Sequence, residues 1–270
     1  MDTGIETKAQ AFKDLHDGDG VILLPNPWDT GSARLMAGLG FEALATTSLG
    51  AATVLGKHRA SHAEILDNCR AIAVATGLPV SADLEDCYAT EPRKAAEMIP
   101  LAFEAGAVGA SIEDTTGDAA APIHDFSLAV ERVQAAVEAA RALPIPFVLT
   151  ARADNLLYGA GDLDDTIRRL QAFESVGADV LYAPGLKTLE EMRSVVSSVG
   201  KPVNVVMGFA DGAITLAELA GIGVRRVSIG GALLRVALQA FVEATVEMKE
   251  GRFGFVDRMI PVRELRKVFE

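Results

Sequence analysis

Only two cysteines occur in 270 residues, Cys69 and Cys87, with neither the paired spacing of a zinc site nor the number needed for a disulfide framework. A reducing compartment suits them, and a cytoplasmic location is the expectation. Long apolar runs are lacking too, since Gly or a charge interrupts each one before it could cross a bilayer. The opening stretch, MDTGIETKAQAFKDLHDGDG, has no basic-then-apolar order, so no secretory signal is expected. Positive charge is scarce: 25 Lys and Arg against 37 Asp and Glu leave a formal charge of −12, and the basic residues are scattered. Nucleic acid and anionic membrane are therefore not expected partners.

What is present is apolar and regular. Half of the residues are hydrophobic, and neither a linker nor a low-complexity stretch divides the chain, so residues 1–270 read as one domain. Eight β-branched, apolar runs occur at 20–25, 42–48, 78–85, 109–114, 146–152, 179–184, 202–207 and 226–231. Stretches of helical periodicity lie between them at 30–40, 63–77, 91–106, 127–143, 163–177, 188–200 and 215–223, most ending in Gly. The alternation predicts an α/β chain, a (β/α)8 TIM-type barrel with a helical tail at 240–270. An open doubly wound sheet is the alternative, but no G-x-G-x-x-G follows the first strand, where the chain reads LPNPWDTGSA.

In a barrel the C-terminal ends of all strands share one mouth, where active sites are built. The residues there are polar: Asn26 and Trp28, then Thr47 and Ser48, then Asp83, Glu85 and Asp86, followed by Glu113 and Asp114, Arg152 and Asp154, and Asn204. Strand 8 ends in Gly230 and Gly231, expected to offer bare amides to a carboxylate or phosphate. Acids from strands 3 and 4 converging without His describe a hard-cation site, Mg²⁺ or alternatively Mn²⁺. Arg152 supplies a fork for a carboxylate. Metal and Arg together suit a small 2-oxo acid whose enolate the metal would stabilise.

The stretches ALATTSLGAATVLG (43–56), VSADLED (80–86), SIEDTTG (111–117), LTARADNLLYGAGDLDDTIRRLQAFESVGADVLY (149–182) and GVRRVSIGGALLR (223–235) resemble the isocitrate lyase and phosphoenolpyruvate mutase family, in its phosphonomutase-like branch. The resemblance implies that Thr47, Ser48 and Leu49 bind substrate carboxylate or enolate oxygen, partly through backbone N–H. It puts Asp83 and Glu113 in the metal shell and Arg152 on the substrate. It also implies a dimer or tetramer in which a C-terminal helix, resembled by VRELRKVF at 262–269, packs on a neighbouring barrel.

The chain departs from that family after strand 4. Lyases there carry a Cys loop and mutases a Lys, whereas this sequence reads EDTTGDAAAPIHDF. Ser81 stands where many members have the first Asp of D-A-D, and His58 and Arg59 stand where an acid is usual. Glu85 or Asp86 is expected to replace the lost ligand. His58 and His62 have a zinc-like i, i+4 spacing, but SHAE at 61–64 reads as a capping box that leaves His58 outside the helix. Lys187 lies past its strand, where a Schiff-base lysine should be within it. Cys87 is a candidate proton donor with nothing adjacent to lower its pKa.

The expected function is an Mg²⁺-dependent carbon–carbon lyase or decarboxylase acting on a small 2-oxo or 2-hydroxy acid through a metal-bound enolate. Arg152, Glu113 and Asp83 would do the chemistry; Thr47, Ser48, Leu49, Arg152, Asn204, Gly230 and Gly231 would bind substrate. The alternatives are phosphonopyruvate-type P–C mutase or hydrolase activity, and a 2-oxo acid binding protein without turnover.

Overall fold

Eight parallel strands run round a barrel: β1 (Ile22–Leu24), β2 (Leu44–Ala45), β3 (Val80–Asp83), β4 (Gly109–Glu113), β5 (Val148–Arg152), β6 (Val180–Tyr182), β7 (Val203–Val206) and β8 (Arg226–Ser228). The computed structural model describes residues 3–269. Hydrogen-bonded neighbours follow the order β1-β8-β7-β6-β5-β4-β3-β2. The last seam, β1 against β2, is joined by the Ala45 N–H donating to Pro25 O at 3.1 Å. Asn26 staples the same seam, its Nδ2 donating to the carbonyls of Ala45 (3.2 Å) and Thr46 (3.1 Å). The open-sheet alternative is thereby excluded.

Every strand falls inside its expected run but is shorter, and in all but β5 the C-terminal residues of the run leave the strand at the mouth. The second shows why. Thr47 caps a short helix, its side chain accepting the Gly50 N–H, so that β2 stops at Ala45. The expected 42–48 strand is thus a strand, a cap and the start of a helix.

The helices in chain order are α1 (Thr3–Asp17), α2 (Thr30–Gly38), α3 (Ser48–Val54), α4 (His62–Ala75), α5 (Pro92–Ala96), α6 (Met98–Glu104), α7 (Phe126–Arg141), α8 (Leu163–Ser175), α9 (Leu189–Ser198), α10 (Leu216–Gly221), α11 (Ala232–Lys249) and α12 (Val262–Phe269). One expected helix, 91–106, is two. Pro100 cannot donate to the carbonyl of Ala96, and its ring crowds that oxygen, so α5 ends at Ala96 and α6 begins at Met98. Gly40, Gly106, Gly177 and Gly223 end helices in the left-handed conformation, as their positions predict. Among the described residues no helix is long and apolar enough to cross a membrane.

Two helices lie outside the sequence expectation, α1 and α3. In α1 the signal is Ile5, Ala9 and Phe12, an i, i+4, i+7 stripe, and Ala9 and Phe12 are fully buried. Phe12 closes the N-terminal end of the barrel against Gly109, where an added Cβ would lie 2.8 Å from Phe12 Cε1 and 2.8 Å from Val148 O. Gly109→Ala should therefore cost about 1–3 kcal/mol through overpacking. Urea unfolding of Gly109→Ala against the wild type checks this.

The tail folds back on its own barrel: Arg34 Nη1 of α2 donates to Phe269 O at 3.2 Å, and a Cβ at Gly38 would meet Val268 at 3.2 Å. It nevertheless leaves an apolar face open, with Val236 and Phe241 of α11 and Phe253 beyond it each more than 60 % exposed.

Candidate functional site

A cavity of about 50 Å³, room for several waters, opens at the C-terminal mouth of the barrel. Period-two alternation along the strands brings its lining together, with Ser81 and Asp83 on β3, Ser111 on β4 and Arg152 on β5. Of the residues expected there, Asn26, Thr47, Asp83, Arg152 and Gly230 line it.

Arg152 is the electrostatic centre. Its Nη1 lies 2.7 Å from Glu113 Oε1 and 3.4 Å from Asp83 Oδ1, while Nη2 lies 2.7 Å from Asp154 Oδ1. The guanidinium also stacks on the ring of Tyr182, 4.7 Å from its centroid. Three carboxylates around one guanidinium leave a surplus of two negative charges. Burial pushes the Glu113 carboxyl well above the usual range against the pull of Arg152, and lifts Asp154 in the same way. Asp114 does not face the cavity. It turns behind the strands, accepting the Asp154 N–H at 2.8 Å and pairing with Arg169 at 3.1 Å.

A second acidic cluster sits in the loop after β3. Arg59 Nε lies 2.5 Å from Glu85 Oε2, and its Nη2 pairs with Asp86, whose Oδ1 also accepts the Tyr88 N–H at 2.8 Å. The stretch of three acids in four residues is therefore answered by two arginines, one for Asp83 and one for Glu85 and Asp86. Three non-glycine residues of this loop, Glu85, Cys87 and Tyr88, have φ of 52°, 55° and 55°. Buried Arg132 of α7 holds them from beneath, donating to the carbonyls of Asp86 (2.6 Å), Thr90 (3.3 Å) and Ala89.

Several expectations change against this geometry. The Gly230 amide is not bare: Asn26 Oδ1 accepts it at 2.8 Å, together with the Ile229 N–H at 2.9 Å. At Gly231 a Cβ would strike the Leu49 side chain at 2.7 Å, so that glycine answers a close approach. The Ser48 amide donates to Asp83 Oδ2 at 2.8 Å, so it braces an acid in this structure. Asn204 is fully buried and engaged by Arg226 and Ser228. Cys87 is buried and is not part of the cavity lining, so its thiol cannot reach a ligand there, which removes it as a proton donor. Ser61 and Glu64 do form a capping box, and Lys187 is exposed.

For a divalent ion the donors present are hard oxygens with excess negative charge, which is the right chemistry. Their arrangement is sparse. Among the described residues no group of three or more His, Cys, Asp and Glu is gathered closely enough to hold an ion. Glu85, expected as a ligand, is drawn away to Arg59, and Glu113 lies against Arg152. Asp83 alone of the three lines the cavity. Mg²⁺ keeps several waters and is often bound by one or two carboxylates plus substrate oxygens, so the set fits an ion that Asp83 would hold, with Glu113 second.

Sequence reading missed Tyr182, Arg226, Ser111 and Thr46. Thr46 Oγ1 accepts the Asp83 N–H at 2.8 Å, and Ser111 Oγ donates to Asp83 Oδ1 at 3.4 Å. The available signal was alternation: Ser111 precedes Glu113 by two, and Tyr182 ends β6. Arg226 crosses the barrel interior, its Nε donating to Asn204 Oδ1 (2.8 Å) and its Nη1 to Thr150 Oγ1 (3.0 Å). Nη1 also lies 3.4 Å from His16 Nε2, and His16 Nδ1 lies 2.7 Å from Phe12 O, which fixes the neutral tautomer.

Burial, followed by the Arg226 charge, lowers His16 from 6.5 to about 4. A depressed base contributes stability above its unfolded pKa and loses it as pH falls through the folded one. Between pH 6.5 and pH 4 His16 should therefore withdraw up to about 3 kcal/mol. Urea midpoints across that range should fall steeply in the wild type and less in His16→Gln.

Comparison with known proteins identifies the family. A family model for phosphoenolpyruvate phosphomutase matches residues 12–249. A solved structure from Burkholderia cenocepacia J2315, provisionally described as a lyase/mutase, is 52% identical with a TM-score of 0.96, covering 98% of this chain and 96% of its own. The oxaloacetate decarboxylase of Bradyrhizobium diazoefficiens is 28% identical over 265 residues, 91% of this chain and 86% of its own. Oxaloacetate acetylhydrolase, solved with its product oxalate, is 29% identical with a TM-score of 0.86, over 98% of this chain and 94% of that one. The match runs nearly from end to end: the chain belongs to the phosphoenolpyruvate phosphomutase family, in the superfamily shared with isocitrate lyase.

Proposed function

We propose that this protein is a carbon–carbon lyase or decarboxylase of a small 2-oxo or 2-hydroxy acid. The observation that carries the reading is Arg152, a buried guanidinium on the cavity wall held in place by acids from three successive strand ends. Its loosest contact, 3.4 Å to Asp83, is on the edge where a ligand carboxylate would land. Thr47 and the amides of Ser48 and Leu49 stand at the same mouth, and Ser48 would exchange Asp83 for a ligand oxygen. Likeness to an oxaloacetate decarboxylase and to an acetylhydrolase that holds oxalate supports the substrate class. A cavity of about 50 Å³ supports a small ligand.

A divalent cation of the Mg²⁺ or Mn²⁺ kind would be held by Asp83, with Glu113 behind it, and would supply polarisation of the ligand carbonyl. The chain's own groups position and protonate. Tyr182 lines the cavity, its hydroxyl has no hydrogen-bond partner among the described residues, and burial keeps it protonated. It is the proton donor this reading assigns in place of Cys87. Oxalate, a planar mimic of a 2-oxo acid enolate, tests the binding half. It should bind in the presence of Mg²⁺, about tenfold or more weaker in Arg152→Ala by calorimetry. Equal affinity in the two proteins would contradict it.

The open apolar face of α11 and the segment beyond it is proposed to be covered by a second copy of the chain, giving a dimer or tetramer. Light scattering should report an oligomer, and Phe241→Asp should release smaller species.

A further inference from the structure

Arg226 is 4% exposed, yet no carboxylate lies within ion-pairing distance of it among the described residues. Of the other buried arginines, two are paired with acids and Arg132, which lines no part of the cavity, is spent on the backbone of the β3 loop. Arg152 has three acids, and Arg169 has Asp114 and Asp165. The acceptors of Arg226 are the amide of Asn204, the hydroxyl of Thr150 and the imidazole of His16, all neutral. Burial lowers its pKa only to about 10, so the guanidinium is charged at neutral pH. An uncompensated buried cation is costly, and a fold keeps one where an anion arrives.

The place is a cavity wall, since Arg226 lines the same cavity as Arg152, with Ser228 beside it. Asn204 orders the pair. Its Oδ1 accepts Arg226 Nε, which leaves its Nδ2 to donate to Ser228 Oγ at 3.0 Å. With that lone pair taken, the Ser228 hydroxyl proton is free to point into the cavity. Arg226 Nη2 likewise has no hydrogen bond among the described residues. Two unspent donors, one charged, therefore belong to residues that line the cavity Arg152 also lines.

We propose that Arg226 and Ser228 form a second anion subsite, and that the ligand is a small dicarboxylate with one carboxylate at Arg152 and the other at Arg226. The proposal rests on the reading of Arg152 given above and narrows it from 2-oxo or 2-hydroxy acids in general to diacids. Asn204 is then a positioning residue that sets Arg226 and Ser228, not a ligand contact. A carboxylate held this way is stabilised before reaction, which favours cleavage of a carbon–carbon bond elsewhere in the ligand over its loss as CO₂.

Malate and lactate separate the cases, because they share the 2-hydroxy acid end and differ in the distal carboxylate. By calorimetry with Mg²⁺ present, the wild type should bind malate at least about tenfold tighter than lactate. Arg226→Met should lower malate to the lactate level while leaving lactate unchanged. Ser228→Ala, a milder change that leaves the buried cation in place, should remove part of the same preference. A crystal structure of the wild type with malate should place a carboxylate oxygen within about 3.2 Å of the Arg226 guanidinium. Equal binding of the two acids by the wild type, or malate seated away from Arg226, overturns this subsite while leaving the Arg152 reading intact. Binding of both acids undiminished in Arg152→Ala, or binding of neither by the wild type, overturns the Arg152 reading and the subsite with it.

Discussion

Arg152→Ala is expected to lose about 3–5 kcal/mol of folding stability in addition to ligand binding, because it strands Asp83, Glu113 and Asp154 together without a counter-charge. The loss should depend on pH, and its sign follows from the raised carboxyls. Burial already lifts Glu113 and Asp154, and removing the guanidinium, which pulls both down, lifts them further. An acid raised in the folded state contributes stability below its unfolded pKa and loses it as pH rises through the folded value. The deficit of the variant should therefore be smaller at pH 5 than at pH 8. Urea unfolding of wild type and variant at both values checks this. Arg152→Lys should recover part of the stability but little ligand affinity, since an ammonium restores charge without the fork. A variant as stable as wild type at pH 8 would mean that the three acids are not electrostatically joined through Arg152.

Arg132→Leu should be comparably damaging, by about 3–5 kcal/mol, although Arg132 touches no proposed ligand. Its guanidinium satisfies carbonyls in a loop whose residues Glu85, Cys87 and Tyr88 are held in the left-handed region. Each such residue costs of order 1 kcal/mol. Each buried carbonyl left without a donor costs about 1–3 kcal/mol more. Arg59 cannot substitute, because it grips the loop's side chains at the mouth while Arg132 grips its backbone from below. Hydrogen exchange gives the specific readout. Amides of residues 84–91 should lose protection in the variant while those of β5 and β6 keep theirs. Unchanged protection at 84–91 would show that the loop is held by something other than Arg132.

The barrel was legible because its signals are local. Apolar runs of strand length alternate with helical periodicity, and all eight strands lie inside the runs that predict them. What was not legible depended on contacts across the chain. The helix α1 was hidden by a polar composition in which only Ile5, Ala9 and Phe12 carry the stripe. The break at Ala96 was available in Pro100 but outweighed by an otherwise continuous pattern. At the site, strand-end position located Asp83, Glu113 and Arg152, while partner choice escaped. Arg59 takes Glu85 from 26 residues away, and Asn26 takes the Gly230 amide from across the β1–β8 seam. Arg132 and Arg226 read as ordinary helix and strand-edge arginines, because burial without a nearby acid is a tertiary fact.

The central claim is that Arg152 at the barrel mouth holds a small 2-oxo or 2-hydroxy acid whose carbon–carbon bond is then broken. A ¹H and ³¹P NMR time course tests it, with Mg²⁺ present and oxaloacetate, phosphonopyruvate and branched 2-hydroxy diacids in parallel, for wild type and Arg152→Ala. Pyruvate or glyoxylate should form in the wild type faster than in the protein-free control, and at the control rate in the variant. A new phosphate signal from phosphonopyruvate, or product formed equally by Arg152→Ala, would contradict the account.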